Sequence, residues 1–190
     1  MNTNDPAASN NLVFQVIDSL DRIAIPYMLV GSYSSNIYGV VRATQDADFV
    51  LQLGDRSLPA VMRLLGPDFH LDPQMSFETV TATQRYVILH QNSGFKIELF
   101  LLSDDPHDKE RFARRANAAF AGHAITLPTP EDVIITKLRW SKGGNRRKDV
   151  EDVENVIAVQ GNALDLAYIR QWTDQHGTRG LFEQLLVSAG

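Results

Sequence analysis

Between Thr44 and Leu53 the chain reads TQDADFVLQL, which alternates like a β-strand but carries acids where strands usually carry neutral polar residues. Successive strand side chains face opposite ways. If the extension begins early enough, Arg42, Thr44, Asp46 and Asp48 share one face, and Ala43, Ala47 and Phe49 take the other. Two carboxylates so spaced repel each other unless positive charge sits between them. The D-x-D spacing aims both at one point, where a hard, oxygen-seeking Mg²⁺ (or Mn²⁺) would compensate them. The strand therefore has to sit in a sheet with one apolar and one acidic side.

The remaining pattern predicts what surrounds that strand. Leu12, Val13, Val16, Ile17 and Leu20 recur at helical spacing, predicting an amphipathic helix over about 10–24, ended by Pro26. IPYMLVG reads as a short buried strand finishing at Gly31, and SYSSNIYG as a short helix. A helix is expected over 57–65, with Pro59 in its first turn. Strands over 85–90 and 95–101 are joined by QNSG, which is hairpin chemistry. DPHDKERFARRAN reads as a helix and GHAITLP as a short strand. From Thr129 onward only helices are expected, the first announced by a capping Thr, a first-turn Pro and two first-turn acids. Further helices fit 148–159, 165–175 and 178–188. The layout is an α/β (α+β) fold, with a small mixed sheet and flanking helices over 1–127 and a helical part over 128–190 packed on it.

Composition removes several function classes. The chain has 190 residues, of which 44% are hydrophobic and 22% charged, as in ordinary soluble globular domains. No apolar run approaches the roughly 18 residues a membrane span needs. The N-terminal MNTNDPAASNN lacks the basic and apolar regions of a signal peptide and is expected to be a short frayed lead, so the expected location is cytoplasmic. With no Cys there are no disulfides, thiolate metal sites or Cys nucleophiles. A net charge of -5 argues against a whole-surface nucleic-acid binder. Two basic clusters stand out locally: RFARR (Arg111 to Arg115), and Arg139, Lys142, Arg146, Arg147 and Lys148. They read as solvated helix faces or as a means of steering RNA. His70, His90, His107, His123 and His176 have no ligand spacing, and Trp140 and Trp172 read as packing between helices.

On FKIELFLL, Phe95, Ile97, Leu99 and Leu101 form one apolar face, which leaves Glu98 free to be a third carboxylate on a neighbouring strand. Three acids around divalent cations suit phosphoryl or nucleotidyl transfer. Gly31-Ser32, where a strand gives way to a helix N-terminus, offers N–H groups, a hydroxyl and a dipole end to a phosphate. Gly31, Ser32, Gly39, Arg42, Thr44, Asp46 and Asp48 together resemble the G-[GS]…G-x-x-R-x-T-x-D-x-D signature of the nucleotidyltransferase (polymerase-beta-like) fold. EDVIITKLRW followed by RRKDVEDV resembles the block shared by minimal nucleotidyltransferases grouped with AbiEii-type toxins of abortive-infection and toxin–antitoxin systems.

That resemblance implies an NTP substrate bound through Gly31 and Ser32, with Arg42 and Thr44 in the same motif. It also implies a metal on Asp46 and Asp48 and a catalytic third acid at Glu98, where Asp is commoner. Lys137 would meet the nucleotide phosphates, and Asp149 or Asp152 would orient it or join the active centre. The implied reaction moves a nucleoside monophosphate to an acceptor hydroxyl on a tRNA 3′ end or a protein, with a cognate antitoxin as a partner. Transfer to an antibiotic, as in lincosamide and aminoglycoside enzymes, is an alternative, as is a nucleotide-binding scaffold of the same fold. The tail points independently to buried ionic contacts, because Lys137 borders the stripe carrying Val133 and Ile134, and Asp149 shares a face with Val153 and Val156. Such charges should meet each other or a ligand.

Overall fold

The computed structural model describes residues 6–141 and 144–189; Lys142 of the second basic cluster and the first five residues of the expected lead fall outside them. In chain order the elements begin α1 (Pro6–Arg22), β1 (Tyr27–Val30), α2 (Gly31–Tyr38), β2 (Asp46–Leu51), α3 (Leu58–Leu65), β3 (Phe69–Leu71) and β4 (Ser76–Glu78). They continue with β5 (Thr83–His90), β6 (Lys96–Leu101), α4 (Pro106–Arg114), β7 (Ala116–Phe120) and β8 (His123–Leu127). Helices α5 (Pro130–Trp140), α6 (Arg147–Gln160), α7 (Leu166–Gln175) and α8 (Arg179–Ala189) follow. Two compact units result, one of Met1–Val30 with Ala43–Leu127 and one of Gly31–Arg42 with Pro128–Gly190. No helix among the described residues is long and apolar enough to cross a membrane.

The first unit is built on a mixed sheet of order β1-β2-β6-β5-β3, with β4 also pairing β5. Strands β2 and β6 run parallel, and the other pairs are antiparallel. Leu29, Phe49, Leu99, Ile97 and Ile88 fall on one face and are fully buried. Burying each such side chain stabilises the unit by about 2 kcal/mol. Val13, Val16, Ile17 and Leu20 of α1 complete this interior, as their helical spacing predicts. Strands β7 and β8 form a separate two-stranded sheet.

Several boundaries differ from the sequence expectation. Helix α1 starts at Pro6, so Pro6–Asn11 is helical and not a frayed lead: Pro suits the first helical position, and Ala7 and Ala8 are strong helix formers. Strand β2 starts at Asp46 and not at Thr44, because the ladder to β6 begins with the pair Asp46 and Lys96. Arg42 and Thr44 therefore lie before the strand and do not extend its acidic face. Strands β3, β4 and β7 were not expected, since FHL, SFE and ANAAF are too short or too polar to show a period of two.

In the second unit, α5 starts as its capping signals predict. Thr129 Oγ1 accepts from the Asp132 backbone N–H and donates to the Asp132 carboxylate at 2.9 Å. The paired acids of that turn have structural partners: Asp132 accepts from the Tyr168 hydroxyl at 2.8 Å, and Glu131 from the Asp165 N–H at 3.1 Å. Val133, Ile134, Leu138, Val153, Val156, Trp172 and Phe182 share one buried cluster, so Trp172 is packing as expected.

Gly39 shows why a residue without a side chain stands after α2. A Cβ there would lie 3.1 Å from the Ser35 carbonyl oxygen and 3.1 Å from the Val156 nitrogen, both backbone atoms that cannot swing aside. Gly39→Ala is expected to destabilise the protein by about 1–3 kcal/mol in urea unfolding. Gly54→Ala, where nothing stands within 4 Å, is the control for helix-independent backbone strain.

The basic clusters are largely committed to neighbours. Arg111 is buried against Asp108, its Nε donating to Oδ1 at 2.6 Å, and Arg115 stacks 4.1 Å over the Phe112 ring. Arg146 pairs with Asp149 at 3.1 Å and Arg147 with Glu151 at 2.9 Å.

Candidate active site

The acidic side of β2 is what its alternation dictates. Asp46 and Asp48 lie two residues apart and half-buried, while Ala47 and Phe49 between and after them are fully buried. The parallel pairing to β6 sets Asp48 in register with Glu98, and Asp46 with Lys96. Neighbouring strands lie about 4.8 Å apart. Glu98 thus occupies the adjoining strand position on the acidic face, where the sequence pattern expects a third carboxylate. Val30 on β1 and Val87 on β5 continue the same row.

Each acid has local partners. Thr44 Oγ1 donates to Asp46 Oδ1 at 3.0 Å, so Thr44 orients the first carboxylate although it lies off the strand. Arg85 Nη1 stands 3.3 Å from Glu98 Oε2, and Arg85 Nε donates to Ser76 Oγ at 2.9 Å, which fixes the guanidinium. Among the described residues no group of three or more His, Asp or Glu side chains is gathered closely enough to hold a metal ion. The donor chemistry nonetheless fits a hard divalent cation: three carboxylates occupy adjoining positions on one sheet face, and Asp46 and Asp48 point the same way. Turning Glu98 from Arg85 toward Asp48 is a rotamer change on a half-buried side chain.

The second unit gathers Ser32, Arg42, Lys137, Asp149 and Asp152, all singled out by the sequence. Gly31 opens α2 with φ 65, a conformation that glycine adopts without strain, and its carbonyl accepts from the hydroxyls of Ser34 and Ser35. Arg42 bridges two elements: Nε and Nη2 donate to the two Asp152 oxygens at 2.8 and 2.9 Å, and Nη2 donates to Ser32 Oγ at 2.9 Å. Asn36 holds the Arg42 backbone through both its N–H and its carbonyl. Lys137 Nζ pairs with Asp152 at 2.8 Å and with Asp149 at 3.0 Å. Arg42 is thereby a member of this network, where a bidentate carboxylate on α6 matches its planar fork.

The network is nearly dry, with the Asp152 side chain 3% exposed and that of Lys137 12%. Burial pushes the Asp152 carboxyl up, but the hydrogen bonds and charges of Arg42 and Lys137 outweigh it and hold the group below its ordinary 3.8. A depressed carboxylate stabilises the fold fully above its unfolded value and loses that contribution as pH falls through the lower, folded value. Acid titration below about pH 3.8 should therefore unfold wild type more steeply than an Asp152→Asn variant, whose denaturation profile lacks that proton uptake.

Sequence reasoning gave no role to Arg85, Asn36 or Lys96 and saw Arg146 only as part of a basic cluster. Arg85 reaches Glu98 across a strand pair that no local pattern shows, whereas Lys96, two residues before Glu98, was legible as lying on the acidic face. The first unit also holds a cavity of about 370 Å³ beside Asp46.

No family model and no curated protein matches the sequence. The structure, in contrast, is similar to solved ones. The solution structure of the antibiotic-resistance factor ANT(2'')-Ia aligns with a TM-score of 0.60 at 13% identity, covering 97% of this chain and 96% of that one. The crystal structure of ANT(2'')-Ia in complex with adenylyl-2''-tobramycin aligns with a TM-score of 0.62 at 12% identity, covering 90% and 97%. An antigenic nucleotidyltransferase-like protein from Paracoccidioides brasiliensis aligns with a TM-score of 0.51 at 16% identity, covering 92% and 91%. These identities speak for architecture alone, and what they establish is that this chain has the nucleotidyltransferase fold.

Proposed function

We propose that the protein is a nucleotidyltransferase, dependent on Mg²⁺ or Mn²⁺, that moves a nucleoside monophosphate from an NTP to an acceptor hydroxyl. The observation that carries this reading is the placement of Asp46, Asp48 and Glu98 at adjoining positions of the parallel strands β2 and β6. Asp46 and Asp48, with Glu98 swung from Arg85, would hold the cation, which neutralises triphosphate charge and the charge that develops at the α-phosphorus. Thr44 keeps the Asp46 carboxylate in its rotamer. Glu98 takes the proton of the acceptor hydroxyl. The acceptor oxygen bonds to the α-phosphorus, the bond from that phosphorus to the β-phosphate bridge breaks, and pyrophosphate leaves. Gly31, Ser32 and Lys137 are assigned to the nucleotide phosphates on the strength of the motif, with Arg42, Asp149 and Asp152 holding Ser32 and Lys137 in place.

The candidate acceptors are a tRNA end, a protein hydroxyl and a small molecule, and the ANT(2'')-Ia complex with adenylyl-2''-tobramycin is an instance of the last. The toxin–antitoxin setting suggested by the tail motif would go with the first two. The test is incubation with each α-labelled NTP and Mg²⁺ over tRNA, extract protein and small-molecule pools. Label in one pool, absent without the metal, is the expected result, and no label in any pool with any NTP would overturn the reading.

A further inference from the structure

The cavity beside Asp46 lies within the first unit, between the first turns of α1 and the β5–β6 hairpin, and its volume of about 370 Å³ suits a small ligand. Leu12 and Phe95 give it an apolar wall. Its polar wall comes from Ser9, Gln45, Asp46, His90, Ser93 and Lys96. Several of these groups have capacity to spare. His90 is 7% exposed, and its Nδ1 lies 2.8 Å from Ser93 Oγ, an oxygen that also accepts from the Phe95 N–H. With the Ser93 hydroxyl donating to Nδ1, the other ring nitrogen carries a proton and has no partner among the described residues. Lys96 is the register neighbour of Asp46 but forms no ion pair with it or with any other described residue. Ala8 and Ser9 stand near the start of α1, the positive end of a 17-residue helix.

A free ammonium, a buried imidazole N–H and a helix N-terminus suit an anion. The one opposing charge, Asp46, is already turned toward Thr44 through Oδ1. We propose that this cavity is the acceptor subsite and takes a small hydroxyl-bearing compound that carries a phosphate group, which Lys96 and His90 hold while its hydroxyl faces Asp46. This rests on the nucleotidyl-transfer reading for the acceptor role, but not for the binding. It argues against a polycationic acceptor, which would bring ammonium groups to Lys96. It also argues against a polynucleotide, because the cavity is small.

The test uses the ¹⁵N-labelled full chain and follows the amides of Ser9, Ser93 and Lys96 and the ring of His90. Inorganic phosphate and glucose 6-phosphate are expected to shift these signals. Glucose should bind about tenfold or more weakly, and Lys96→Gln, at an exposed site, should lose about tenfold in glucose 6-phosphate affinity. Shifts confined to other residues, unchanged binding in Lys96→Gln, or tighter binding of tobramycin than of glucose 6-phosphate would each overturn the proposal. Displacement of glucose 6-phosphate by ATP with Mg²⁺ would assign the cavity to the nucleotide and overturn its acceptor role. Specific binding without transfer of labelled AMP to any acceptor would support the cavity as a site and sink the nucleotidyl-transfer reading instead.

Discussion

The double substitution Asp46→Asn/Asp48→Asn is expected to abolish label transfer, by about a thousandfold or more, while the protein stays folded. Cation stabilisation of transferring phosphate is worth several kcal/mol, and each 1.36 kcal/mol is tenfold in rate. Asn keeps the shape of Asp but removes both charges that would bind the metal. Folding should not suffer, because the two side chains are half-buried and their mutual repulsion disappears. Turnover measured under saturating NTP and Mg²⁺, beside a thermal melt, separates the two effects. A variant with wild-type turnover would remove the carboxylate row from the chemistry. A variant that no longer melts cooperatively would show that the acids serve the sheet.

The second large effect belongs to the other unit. Asp152→Ala is expected to cost about 3–5 kcal/mol, because it strands Arg42 and Lys137 next to a poorly hydrated cavity where their shared carboxylate was. Asp149→Ala should cost less, since Lys137 retains Asp152 and Arg146 is half exposed. Lys137→Met, in turn, keeps the aliphatic stem and leaves Asp152 with its bidentate Arg42. Urea midpoints for the three variants should therefore rank Asp152→Ala lowest. Equal midpoints would mean that the pairs are interchangeable and that the network has no centre.

The acidic strand was legible because a period of two leaves little choice once Phe49 and Ala47 must be inside: Asp46 and Asp48 are then on the other side. The same reasoning on FKIELFLL put Glu98 on the polar face of its strand. The order of strands was not legible. Nothing local to either segment says that β2 and β6 pair in parallel, or that their register matches Asp48 with Glu98. That choice is made by how the buried faces of five strands and α1 fit together.

Arg42 shows the same limit from the other direction. Alternation placed it with the acids, whereas the fold gives it to Asp152, 110 residues away. A guanidinium that can make two charge-assisted hydrogen bonds in a dry setting gains more there than on an exposed strand entry. His90 was assigned nothing because its partners, Ser93 and the wall of a cavity, have no sequence pattern at all.

Local rules were sufficient for features whose cause is local. These are the helix starts at Thr129 and Ser57, the apolar and acidic sides of β2, and the absence of thiol chemistry. Tertiary structure decided which charges neutralise one another, which basic residues remain for a ligand, and where a cavity opens. Those outcomes depend on distances between residues far apart in the chain, and Coulomb energy and desolvation are set by such distances and by burial, neither of which one segment contains.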